Sequence, residues 1–143
     1  MLDDLSFALE RADLTPSGEV PAATAFWVGR LRHIAAATLN AWGLSALADD
    51  ARLLISELVT NGFKHGTAPH VRFRLVIGTG VVVMEVDDGS SGRPEVRDAG
   101  PEAVSGRGLV LVSALAAAWG VSDDGTRTWC ALTVPTPDAA ARP

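Results

Sequence analysis

The sequence predicts an α+β fold in which helices are layered on one face of a sheet. Two helical apolar periods come first, and β-branched runs joined by a short glycine turn follow them, in place of the strict alternation that builds a parallel sheet. Size agrees. With 143 residues, 48% apolar and 20% charged, the chain suits one domain over residues 1–143 around a single core at about 20–135, without internal repeats or an interdomain linker.

Each element follows from its residues. "LSFALE" reads as a short edge strand, and "TPSGEVP" breaks whatever precedes it. From Ala22 to about Trp42, the residues Phe26, Leu31, Ile34, Ala35, Thr38 and Leu39 recur at helical spacing, and Gly43 ends the run. Trp27 and Trp42 can each be core or interface, with core the expectation. A second helix spans Ala46 to His65 with an apolar face of Leu47, Leu54, Ile55, Leu58, Val59 and Gly62, stopping at Gly66 before Pro69. Gly62 costs this helix about 1 kcal/mol relative to Ala. That cost implies close packing or a softer helix.

"VRFRLVI" and "VVVMEV" flank Gly78, Thr79 and Gly80, which predicts a hairpin. Asp88 to Gly106 is rich in Gly, Ser, Pro and charge, lacks a period, and reads as a long mobile loop, a feature that compact domains keep mainly for function. A third helix is expected from about Leu109 to Ala118, followed by an extended Gly120 and Val121 and a turn at Asp123, Asp124 and Gly125. A last strand, "TWCALTV", is closed by Pro135. The tail from 136 to 143 should fray.

The formal net charge of -5, with no cluster of Lys and Arg, argues against direct nucleic-acid binding, which rests on clustered cations. The single cysteine, Cys130, rules out an internal disulfide or a multi-cysteine metal site, and its apolar neighbours mark a small core residue. No apolar run reaches the roughly 20 residues of a membrane span, and the N-terminus lacks a basic start before an apolar stretch. A cytoplasmic protein without membrane contact is the expectation.

Three features bear on chemistry. "ELVTNGFKHG" places Glu57, Asn61 and His65 four apart, on one helical stripe with Lys64 beside it, and such a stripe faces either water or a ligand. In "VVVMEVDD" the residues Val82, Met84, Val86 and Asp88 share one face, so an acid points inward where the strand runs out, and Asp87 points the other way into solvent. An inward carboxylate needs a partner. In "SGRGLVLV" two glycines straddle Arg107 and a helix begins at once. The result is either a tight loop or a backbone cradle for phosphate at a helix N-terminus. It is neither a P-loop nor a dinucleotide fingerprint.

In this order the three features resemble the anti-sigma-factor and serine-protein-kinase branch of the ATPase superfamily that includes gyrase, mismatch-repair ATPases and histidine kinases. "ELVTNGFKHG" resembles the N box, "VMEVDDGSSGRP" the adenine-binding first glycine box, "GRGLVLVSALAAAWG" the second glycine box, and "TWCALTVP" the final strand. Pro21 and "LNAWGL" add to a likeness covering most of residues 20 to 135. The first glycine box departs from the fuller Asp-x-Gly-x-Gly form, and Gly62 stands where this branch usually has Ala.

The resemblance implies a two-layer sandwich of the histidine-kinase-like ATPase (Bergerat) type, with a mixed, mostly antiparallel sheet. It implies ATP and Mg2+ as cofactors. Asn61 would ligate the magnesium ion, Glu57 would act as general base toward an attacking hydroxyl, and Asp88 would accept a hydrogen bond from the adenine amino group. The amides from Gly106 through Gly108 to Leu109 would reach the phosphates, with Lys64, His65 and Arg107 as further donors. The implied activity is that of a serine protein kinase and anti-sigma factor whose partners are a sigma factor and an anti-sigma-factor antagonist, with a homodimer and contacts near the first helix. Two alternatives stay open, a non-catalytic ATP-binding module that controls a partner through lid shape and an α+β interaction protein without nucleotide. A detached histidine-kinase catalytic domain would need a phosphoacceptor helix, and His33 lacks the acidic neighbour such a helix uses.

Overall fold

The computed structural model describes residues 3–10, 22–66, 69–89 and 111–134, apart from the side chain of His65. The long loop from 90 onward, Gly106, Arg107, Gly108, Leu109, Pro21 and the tail after 136 lie outside the described residues.

The element order is β1 (Asp3–Glu10), α1 (Ala22–Ala41), a single 3-10 turn (Ser45–Leu47), α2 (Ala48–His65), β2 (His70–Gly78), β3 (Val81–Asp87), β4 (Ala118–Val121) and β5 (Arg127–Thr133). The strands lie in the order β1-β2-β3-β5-β4, and the pairings among them are all antiparallel. The α+β expectation therefore stands. The strand at the N-terminus is indeed an edge strand, paired to β2 along its whole length.

The hairpin forms where the glycines predict it, with Gly80 at φ 81, a conformation that glycine adopts without strain. Strand alternation then sorts the two faces. Val71, Phe73, Leu75 and Ile77 of β2, Val82, Met84 and Val86 of β3, and Cys130 and Leu132 of β5 are buried on one face. Against this face lies α2, whose Ala51, Leu54, Ile55, Leu58, Val59 and Phe63 share the core with Val28, Leu31, Ala35 and Leu39 of α1, a helix packed mainly on α2. Each large side chain buried in this seam is worth about 1.5–3 kcal/mol. The helical stretch 111–115 adds Val112 to the same core.

The opposite face carries alternating charge. Its cross-strand rows run Ala8, Arg72, Asp87, Arg127 and Ser6, Arg74, Glu85, Trp129. Arg74 donates to both carboxylate oxygens of Asp4 at 2.9 and 2.7 Å, which holds the Asp4 carboxyl below its ordinary range. A shallow groove of about 390 Å³ runs between these rows.

Two expectations need correction. Phe26, Trp27 and Trp42 are not core: they are 59%, 41% and 43% exposed. The apolar residues of α1 run nearly all round it, so composition alone does not say which of them face inward. Phe26 and Trp27 instead pack edge to face at 5.4 Å, and the Trp42 indole N–H donates to Asp3 at 3.1 Å. The third helix does not reach Ala118. It ends by residue 115, because the Ala117 N–H is already taken by the carbonyl of Ala131 and β4 starts at Ala118. Gly66 ends α2 as expected, with an extended backbone at φ -74 and ψ 163. Among the described residues, no helix is long and apolar enough to cross a membrane.

Candidate functional site

The site is assembled at the C-terminal end of α2. Four-residue steps advance the stripe about 40° around the helix each time, so its members share one flank without lying in a straight line. Glu57, Asn61 and Lys64 are each half-buried, on the border between the apolar seam and water. Among the described residues, no ion pair engages any of the three. Their functional groups are thus neither sealed in the core nor turned wholly into solvent.

The strand end meets this border. Gly62 has so little space that a Cβ there would stand 2.9 Å from Val86 Cγ1, 3.2 Å from Val71 Cγ1 and 3.6 Å from Asp88 Cβ. Gly66 is closer still. Its Cβ would stand 2.5 Å from the Asp88 carbonyl oxygen and 2.6 Å from Asp88 Cβ. The helical turn that bears Asn61 is therefore in contact with Asp88, as the inward reading of that residue requires. Of the two reasons offered for Gly62, close packing is the one observed.

Asp88 is held from the other side too. Its N–H donates to the Thr126 carbonyl at 3.0 Å, so the chain stays pinned to the β4–β5 turn one residue beyond β3. Asp87 points to the opposite face, as expected, and lies 3.9 Å from the Arg127 guanidinium. Its carboxylate also accepts the Gly89 N–H at 3.1 Å, a local turn that steers the chain away where Gly89 takes φ 72. The β4–β5 turn has its own brace. Asp124 accepts from the Ser122 hydroxyl at 2.7 Å, the Thr126 hydroxyl at 2.8 Å and the Thr126 N–H at 3.1 Å, which pulls its carboxyl down to about 2.

Of the predicted site residues, the structure brings together the stretch of α2 that carries Glu57, Asn61 and Lys64 with Asp88. It says nothing of the His65 side chain or of Gly106, Arg107, Gly108 and Leu109, which lie outside the described residues. Two contributors escape sequence reading: Gly66 as a contact to Asp88, and Thr126 as the anchor of the Asp88 backbone. A glycine followed by Pro69 looks like an ordinary helix stop, and a backbone carbonyl leaves no trace in residue type.

The donor set can be tested against the cofactors the resemblance implies. Among the described residues, no three His, Cys, Asp or Glu side chains cluster as a metal cage. Magnesium does not need one, because it keeps several waters and phosphate oxygens and takes only one or two protein ligands. A half-buried Asn61 amide beside the Glu57 carboxylate suits such an ion.

An antiparallel sheet covered on one face by helices defines an open two-layer α/β sandwich. This chain belongs to the histidine kinase-like ATPase domain family, whose model matches residues 20–133. Membership brings ATP binding and ATP-dependent activity in general. No curated protein matches the chain.

Proposed function

We propose that the protein is an ATP-binding regulator that phosphorylates a serine of an anti-sigma-factor antagonist and, in the other half of the switch, holds a sigma factor. The observation that carries this reading is the contact between the Asn61 turn of α2 and Asp88, with Glu57 one turn away, about 6 Å along the helix axis.

Each residue has a task in this reading. Asp88 accepts the adenine amino group and disfavours guanine, which offers a carbonyl at that edge. Asn61 supplies one neutral oxygen to Mg2+, whose charge would offset that of the triphosphate. Glu57 takes the proton of the antagonist's serine hydroxyl as that oxygen forms its bond to the γ-phosphorus and the bond to the ADP oxygen breaks. Lys64, on the same helix end, is a cation within the neighbourhood of the phosphates. The exposed Phe26 and Trp27 on α1, a helix with no acidic side chain, offer a surface for protein partners or a second copy.

The test is direct. Labelled ATP, magnesium and the small candidate antagonists of the same genome should yield phosphoserine with the wild type and none with Glu57→Ala, while Glu57→Ala keeps its affinity for ATP. Partner control that survives Glu57→Ala unchanged would favour the non-catalytic module. Absence of any heat on titrating ATP with magnesium into wild type would remove the nucleotide from the account.

A further inference from the structure

Gly66 ends α2 in an extended backbone conformation, φ -74 and ψ 163, which any residue can adopt. The usual reason for a glycine at a helix end, a left-handed cap, is therefore absent. What requires glycine is space. A Cβ at 66 would stand 2.5 Å from the Asp88 carbonyl oxygen, 2.6 Å from Asp88 Cβ and 2.7 Å from the Gly62 carbonyl oxygen. Carbon atoms in contact sit about 3.5–4.0 Å apart, so the shortfall is on the order of 1 Å. Two of the three obstacles are backbone atoms, which cannot rotate away.

Gly62 provides the contrast. Its nearest obstacles are Val86 Cγ1 and Val71 Cγ1, the far ends of side chains, and Asp88 Cβ lies at an ordinary 3.6 Å. Gly29 on α1 has nothing within 4 Å. The three glycines thus grade from open space at Gly29, through packed valine methyls at Gly62, to backbone carbonyls at Gly66. Only Gly66 bears directly on the backbone of Asp88.

We propose that Gly66 is a positioning residue: by letting the end of α2 close onto Asp88 it sets where that carboxylate stands, and with it the preference for adenine over guanine. The second half rests on the ATP reading above, whereas the first half stands on geometry alone. A hydrogen bond tolerates donor–acceptor distances of about 2.7–3.2 Å, so a shift of about 1 Å at Asp88 breaks a contact to the base amino group. Asp88 is pinned on its other side by the 3.0 Å bond to Thr126, so a push from 66 loads that bond.

The experiment compares Gly66→Ala, Gly62→Ala and Gly29→Ala in the full chain, by amide hydrogen exchange at Asp88 without nucleotide and by calorimetric titration of ATP and of GTP with magnesium. Gly66→Ala should speed exchange at Asp88 at least tenfold, weaken ATP at least tenfold and bring the ATP to GTP ratio toward one. Gly62→Ala should do less of each, and Gly29→Ala should stay within threefold of wild type throughout. Unchanged exchange at Asp88 in Gly66→Ala, or an ATP affinity and base preference kept within threefold, overturns the proposal. A wild type that binds neither nucleotide sinks the adenine half together with the ATP reading, and exchange at Asp88 still decides the positioning half. Should Gly66→Ala fail to fold, Gly66→Ala with Asp88→Gly removes the overlap at the residue 88 Cβ and, through the freer glycine backbone, lets the residue 88 carbonyl swing aside, so it should recover part of the folded population. No recovery counts against the proposal.

Discussion

The rotation of α2 about its own axis decides whether Glu57 and Asn61 border the pocket, and two adjacent leucines measure that rotation. Leu54 is fully buried in the core, whereas Leu53 is 46% exposed. Truncating a completely buried leucine loses its transfer energy and leaves a cavity, which places Leu54→Ala at about 3 kcal/mol. Leu53 already meets water over nearly half its surface and its site collapses into solvent, so Leu53→Ala should cost about 1 kcal/mol or less. With a urea slope of about 1.5 kcal/mol per molar, the unfolding midpoints should fall by about 2 M and by no more than about 0.7 M respectively. Urea titrations followed by far-ultraviolet circular dichroism provide the measurement, with the slope checked to be unchanged. Equal losses, or a larger loss at Leu53, would mean that the helix is turned by about 100°, which would carry Glu57 and Asn61 off the border with the sheet.

Two further outcomes follow from groups with displaced titration. The Asp124 carboxyl, held near 2 by the Ser122 hydroxyl and by the amide and hydroxyl of Thr126, is depressed in the folded state, so its stabilising effect is present above about pH 4 and is lost as pH falls toward 2. Asp124→Ala should therefore be less stable than wild type at pH 7, with the gap narrowing between pH 4 and 2 in thermal melts, and a gap independent of pH would contradict the brace. Burial pushes the Cys130 thiol up to about 12, so it should resist a thiol reagent at pH 8 in the native protein and react promptly in concentrated urea. Fast labelling of the native state would mean that β5 is not packed as described.

What the sequence discloses, and what it hides, follow from the range of the interactions concerned. The α2 face, the hairpin and the inward turn of Asp88 are legible because each depends on a local period of 3.6 or 2 residues. Phe63 is buried beside the stripe and escapes that reading, since the apolar arc of α2 is wider than the residues that announce it. On α1 and the turn after it the period is blurred by Phe26, Trp27 and Trp42, whose exposure depends on what the rest of the fold leaves uncovered. The insertion of β5 between β3 and β4 is a pairing at long sequence separation, invisible to any window. In the site, residue type pointed to side chains that carry charge or an amide. It could not point to Gly66, which acts through the atom it lacks, or to Thr126, which acts through its carbonyl.

The bond between the Asp88 amide and the Thr126 carbonyl has a consequence for how such a pocket is tuned. The turn joining the last two strands is exposed at Asp123 and Asp124, yet it stands one link away from Asp88. Changes at Ser122, Asp124 or Thr126 can loosen or tighten that link, and so move Asp88 without touching α2 or β3.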